Sequence, residues 1–177
     1  MAGCSQAEPT PQASTTAAAA MHVAPRTPAA DSAAILDSFA KLAHAIDLDT
    51  ARFERTQKPV TLGAGTRGDA TAWRAGRIWQ RLHVNANGDA FRTADTYWFS
   101  NGALLGAQLE LMRAGLKPAV DRVWFRDRTL YRWTDAAGRR LEPAARSTQY
   151  EVLMMRARLD SLLRVLEHDD IVRHPRR

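Results

Sequence analysis

Apolar residues recur every three or four positions near both ends of this chain and every second position between them. Two helices therefore bracket a run of strands. Ile35, Leu36, Phe39, Leu42, Ala43 and Ile46 follow Asp31-Ser32, an N-capping pair, and predict a helix over about 32–47. Residues 47–62 are mixed and polar, Pro59 interrupts them, and they read as a connection into the strands. From 69 to 134 the period is two. Segments 70–74 and 77–84 flank an Ala75-Gly76 turn, and Asn85-Ala86-Asn87-Gly88-Asp89 makes a second turn. Segments 91–100 and 103–111 flank Asn101-Gly102, the pair best able to adopt the positive φ values of a type I′ hairpin turn. After a loop through Gly115 and Pro118, 120–125 and 129–134 form a further hairpin turning at Arg126-Asp127-Arg128.

The last helix has the clearest pattern. Thr148 and Glu151 carry capping-box spacing, and Val152, Met155, Leu159, Leu162 and Leu166 lay down one stripe, with Arg156, Arg158, Asp160 and Arg164 off it. A stripe of that width is suited to covering the apolar side of a single sheet. The expected class is α+β: a twisted antiparallel β-meander of five or six strands, with an N-terminal helix and a C-terminal amphipathic helix packed on the sheet. Tyr97-Trp98-Phe99 and Val123-Trp124-Phe125, each followed by a turn and an apolar return, repeat at an offset of 26 residues within 91–134. One supersecondary unit used twice explains this.

Residues 1–30 have no apolar period; Ala, Thr, Pro, Ser and Gln dominate them, which predicts a disordered tether ahead of one globular domain over 31–177. The formal charge of +6 comes almost wholly from arginine, since Lys41, Lys58 and Lys117 are the sole lysines. An anionic partner is one reading of this balance. The absence of any block of like charges favours an arginine-rich solvated surface. With one cysteine, Cys4, the chain forms no internal disulfide.

Ala2-Gly3-Cys4 resembles the end of a bacterial lipobox, and Ser5-Gln6 resembles the start of a mature lipoprotein. The resemblance implies a lipidated Cys4 and a membrane anchor. No charged and apolar leader precedes it, so the expectation includes a true start upstream of Met1. Ser5 resembles the outer-membrane signal of Gram-negative lipoproteins, which implies the periplasmic face of that membrane. The stretches Gly65-Thr66-Arg67-Gly68-Asp69-Ala70-Thr71-Ala72-Trp73, Tyr97-Trp98-Phe99-Ser100-Asn101-Gly102-Ala103-Leu104, Val123-Trp124-Phe125 and Leu130-Tyr131-Arg132-Trp133 resemble a group of uncharacterised secreted or lipid-anchored bacterial proteins with a β-meander core. That group implies a fold and no activity. Its usual glycine and lysine in the second turn are replaced by Asp127-Arg128, which predicts a longer or looser turn.

Candidate chemistry is sparse. Gly63-Ala64-Gly65-Thr66-Arg67-Gly68 matches a dinucleotide fingerprint as a string, but it lacks a following helix and reads as a glycine-rich turn. His168-Asp169-Asp170 with His174 supplies nitrogen and oxygen ligand types at the end of the last helix, where a solvated terminus is the simpler reading. His83, with Asp95 on the neighbouring strand, is the one candidate acid–base pair; its ordinary alternative is a cross-strand polar contact. Arg122, Trp124, Arg126, Arg128, Arg132 and Trp133 interleave arginines with indoles, a pattern suited to stacking on bases, sugars or headgroups. The competing reading buries the indoles under the last helix. The expected function is a non-enzymatic, cofactor-free binding module in the bacterial cell envelope. Its partner is the membrane through Cys4 and an envelope protein, glycan or anionic polymer. The alternatives are a cytoplasmic basic nucleic-acid binder, the less favoured partner class, and a hydrolase with a site near His83 and Asp95.

Overall fold

The computed structural model describes residues 28–62 and 66–173, with side chains from 32 to 62 and 66 to 167. Helix α1 (Pro28–Leu48) and a single 3-10 turn (Asp49–Arg52) lead into one antiparallel sheet. Its strands are β1 (Glu54–Leu62), β2 (Thr66–Ala75), β3 (Ile78–Asn87), β4 (Phe91–Ser100), β5 (Ala103–Arg113), β6 (Ala119–Arg126), β7 (Thr129–Thr134) and β8 (Arg140–Leu141), and helix α2 (Arg146–Arg173) closes the chain. All eight strands are hydrogen-bonded in sequence order, so the fold is an α+β meander. The expectation of five or six strands fell short at both edges. Glu54–Leu62 is a full strand because Pro59 lies on an edge, where a missing N–H costs no ladder bond on the open side. At the other edge, Asp135 accepts from the Ala137 and Arg139 N–H groups and turns the chain back into the two residues of β8.

The sheet carries a helix on each face. Val60, Ala70, Ala72, Leu82, Val84, Tyr97, Phe99, Ala107, Val123, Phe125 and Trp133 face α2 and bury Met155, Leu159, Leu162 and Leu166. On the reverse face Trp98 and Leu105 meet Ala43 and Ile46 of α1. Burial of a side chain such as Leu162 or Leu166 contributes about 1.5–3 kcal/mol, and these two stripes supply the driving force for docking both helices. The expected capping box is displaced: α2 starts at Arg146, the Gln149 N–H bonds the Ala145 carbonyl, and Thr148 is buried inside the first turn.

Three bulges organise the meander. Each lies in a hairpin, with Gln80, Leu105 and Tyr131 the extra residues opposite Trp73/Arg74, Trp98/Phe99 and Trp124/Phe125. A bulge resets the alternation on the strand that carries the extra residue; consecutive Trp98 and Phe99 lie on opposite faces and are both buried because each face carries a helix. The repeated unit thus occurs three times; Trp73-Arg74 is the copy whose sequence has diverged. The same device moves Trp79 to the α2 face, away from Arg81 and His83, with which simple alternation had grouped it. Two of the three hairpin turns are two-residue turns with positive φ at both positions, Asn101-Gly102 and Asp127-Arg128 (φ 50° and 63°). The second is as short as the first, contrary to the longer turn expected from its residues.

Candidate functional site

β4 places Thr93, Asp95 and Tyr97 on the α2 face, in phase with its apolar positions. Asp95 is 3% exposed, and a carboxylate at that depth requires a partner. It finds one in Arg158 of α2, whose Nη1 lies 3.0 Å from Asp95 Oδ2. Burial pushes the Asp95 carboxyl above its ordinary value, against the opposing pull of the Arg158 guanidinium and a backbone N–H of Glu110. Tyr97 is fully buried, and burial together with the nearby Asp95 drives its hydroxyl well above the usual phenol range. The Tyr97 and Thr93 hydroxyls and the Arg158 Nε have no hydrogen-bond partner among the described residues.

These groups line a cavity of about 960 Å³ between α2 and the sheet. Leu62 of β1, Leu109 and Leu111 of β5, and Met154, Leu162 and Val165 of α2 make its apolar walls. β1 and β6 line it together, whereas β2 and β3 do not. In a flat sheet β1 and β6 would lie about 24 Å apart at ordinary strand spacing, so the sheet curls around α2. Lys58 fastens this arrangement by donating from β1 to the Val165 and Leu166 carbonyls at 2.9 and 3.0 Å. Trp79 Nε1 donates to Glu167 at 3.3 Å. By register, Leu62, Leu111 and Ala119 of its lining belong to the same end of the sheet.

Of the described site residues expected from sequence, Trp133 and Asp95 line this cavity and the others do not. Trp133 is 5% exposed on the α2 face, and its Nε1 donates to Asp121 at 2.9 Å. Trp124 lies on the α1 face against Gly106, with Phe39 stacked at 5.9 Å and Trp98 at 6.1 Å between centroids. Trp133 thus belongs to the cavity lining, whereas Trp124 is half-buried on the other face of the sheet. The two face opposite sides because they occupy positions of opposite parity on paired strands. Arg132 is held by Ser32 of α1 at 3.1 Å, while Arg122, Arg126 and Arg128 are exposed. Arg122 and Arg132 share the α1 face with Trp124, while Trp133 stands on the opposite face.

The His83–Asp95 pair is not formed. His83 stands opposite Thr96, and Val84 stands opposite Asp95, which puts the two side chains on opposite faces of the sheet. His83 Nδ1 lies 2.9 Å from Thr96 Oγ1, and burial with Arg81 nearby holds its ring below the ordinary imidazole value. Cys4, Gly63, Ala64, Gly65 and His174 lie outside the described residues, as do the side chains of His168, Asp169 and Asp170. Among the described residues no three His, Cys, Asp or Glu side chains gather as a metal site, and no helix is long and apolar enough to cross a membrane.

The cavity escaped sequence reading because Arg158 lies off the apolar stripe of α2 and reads as a solvated residue. One signal was present: Thr93, Asp95 and Tyr97 put three polar side chains on the inward parity of β4. The arrangement can hold an apolar body and satisfy a polar end. No protein-family model matches the sequence, and no curated protein and no solved structure matches it.

Proposed function

We propose that this chain is an envelope-tethered binding protein, anchored through lipidated Cys4, that holds a small amphiphile between α2 and the curled sheet. The apolar body of the ligand lies against Leu62, Leu109, Leu111 and Met154. Its polar end meets the Tyr97 and Thr93 hydroxyls and the Arg158 guanidinium. One observation carries the reading: a cavity of about 960 Å³, within the range of small-molecule sites, is lined in part by a fully buried tyrosine whose hydroxyl has no hydrogen-bond partner among the described residues. A buried hydroxyl left unpaired costs about 1–3 kcal/mol, and a ligand able to accept its hydrogen bond recovers that energy. This replaces the expected sheet-face site, whose indoles lie on opposite faces of the sheet. The lipobox-like Ala2-Gly3-Cys4 supports the anchoring and the periplasmic location.

The test is uptake of the apolar fluorophore phenylnaphthylamine by the purified full chain. Its emission rises on binding and falls when a long-chain alkyl alcohol competes. Leu109→Trp and Ala119→Trp, which fill the cavity from two strands, abolish uptake while retaining the native circular dichroism. Uptake unchanged in both variants contradicts the assignment. Loss of fatty-acid label in Cys4→Ala, assayed in the native cells, tests the anchor separately.

A further inference from the structure

The end of the sheet that carries Leu62, Leu111 and Ala119 of the cavity lining also carries exposed apolar side chains. Leu116, in the loop between β5 and β6, is 67% exposed. Phe91, which opens β4 over Gly88, is 37% exposed, and Met154 and Val165 on the cavity rim are 49% and 47% exposed. Phe91 and Arg113 are register partners, so both side chains stand on the cavity face of that end. Among the described residues, Phe91 and Leu116 at this end and Met154 and Val165 on the cavity lining are four of the nine large exposed apolar side chains; Leu42, Leu48, Ile78, Tyr150 and Leu153 lie elsewhere.

Cations share this end. Arg67, Arg92, Arg113 and Lys117 are exposed there, and Asp69 and Asp89 are the exposed acids beside them. None of the four cations takes part in an ion pair among the described residues; Arg92 bonds the Asn87 side chain instead. Apolar tips interleaved with unpaired basic residues fit an anionic lipid surface, into which the tips insert while the cations meet headgroups. A protein partner with a dry interface would leave those cations desolvated and uncompensated.

We infer that this end docks on an anionic bilayer, bringing the Leu62, Leu111 and Ala119 end of the cavity to the lipid phase. Leu116 and Phe91 enter the headgroup boundary, and Arg113 and Lys117 hold the phosphates. An amphiphile then passes between membrane and cavity without crossing water. This surface makes the chain a device for exchanging its ligand with a membrane, beyond merely storing it.

The experiment uses the full chain carrying Cys4→Ser, so that attached lipid makes no contribution. Flotation is measured with vesicles of phosphatidylcholine alone and of phosphatidylcholine with phosphatidylglycerol. The protein floats with the anionic vesicles and is released by salt. Removing one cation lowers partitioning about fivefold, so Arg113→Gln with Lys117→Gln lowers it further, and Leu116→Asp abolishes it. All of these variants keep phenylnaphthylamine uptake, because none lies in the cavity wall, so docking and ligand binding fail independently. Equal flotation on both vesicle types, variants that float like the parent, or a dimer in sedimentation that Leu116→Asp dissolves would each overturn the inference.

Discussion

Asp95 of β4 and Arg158 of α2 meet at 3.0 Å inside the curl of the sheet, and this pair is the polar link between helix and strands beside the cavity. The carboxylate is 4% exposed and the guanidinium 37%, so the two partners are unequal. Arg158 can turn to water if its partner is lost; Asp95 cannot. Arg158→Met therefore destabilises the fold near neutral pH by about 1–3 kcal/mol, the cost of an unpaired buried group, and Asp95→Asn by less. Combining the two substitutions recovers much of the Arg158→Met loss. Urea unfolding of the four proteins in a double-mutant cycle measures this, and additive losses would contradict it.

The same pair sets a pH dependence. Burial raises the proton affinity of Asp95 in the folded state above its unfolded value of 3.8. A carboxyl raised in this way contributes stability that is complete below 3.8 and is lost as pH rises through the folded value. The unfolding free energy of the parent minus that of Asp95→Asn thus falls with rising pH across that window. Removing Arg158 moves the window upward, because the guanidinium is what pulls the carboxyl down. His83 acts in the opposite sense: its lowered folded value gives stability that is present above 6.5 and lost as pH falls through the folded value. A parent-minus-His83→Gln difference that shrinks on acidification checks this sign.

Tyr97→Phe separates stability from binding. The substitution removes a buried hydroxyl with no hydrogen-bond partner among the described residues and leaves the ring in place, so the free chain gains about 1 kcal/mol. Affinity for an amphiphile with a hydrogen-bonding polar end falls, while affinity for a purely apolar probe is retained. Thermal unfolding and a titration with each ligand type report the two effects. A Tyr97→Phe chain that is less stable would place a partner on the hydroxyl.

Asp127 and Arg128 both take positive φ in a two-residue turn. Left-handed conformations cost about 1–2 kcal/mol for an ordinary residue, and asparagine followed by glycine carries the smallest cost. Replacing the pair by Asn-Gly therefore raises stability by about 1 kcal/mol. The Arg128 backbone carbonyl, which accepts from Arg156, is unchanged by the substitution. A loss of stability, measured by the same urea unfolding, would show that the side chains contribute more than the turn costs.

Gly106 lies beneath the Trp124 ring, so close that a Cβ there would overlap it. Trp124 in turn stacks on Phe39 of α1. Gly106→Ala pushes the indole outward, loosens α1 and costs about 1–3 kcal/mol as overpacking. Trp124 emission moves to the red in the native state. An unchanged spectrum and stability would mean that the ring shifts freely.

The meander was legible because its signals are local. Asn101-Gly102 names its own hairpin turn, and the alternation along 91–100 and 103–113 needs no distant contact to be read. The bulges were not legible. Nothing in Trp98-Phe99 reveals that two adjacent aromatics are both buried, and without the shift at Gln80 the parity of Trp79 is misread. The eighth strand rests on Asp135 folding the chain back, a tertiary effect in a segment with no alternation. Pro59 argued against β1 until the edge position removed its penalty.

The candidate site was less legible still. His83 and Asp95 are neighbours across a strand pair, yet a one-residue offset in register sets them on opposite faces. Arg158 shows its role only when α2 is laid across β4, since charge on a helix flank usually means exposure. Trp124 and Trp133 signalled a surface that parity divides between two buried faces. The cavity is a space between elements, and pattern along one element does not encode it.

Magnetic-resonance titration of the isotope-labelled chain with a spin-labelled alkyl ligand tests the central claim most directly. The account predicts paramagnetic broadening at Leu62, Leu109, Leu111, Met154 and Leu162, with Leu105 and Ile46 on the opposite face left sharp. Broadening centred on the α1 face, or none at ligand excess, would contradict the binding cavity on which the account rests.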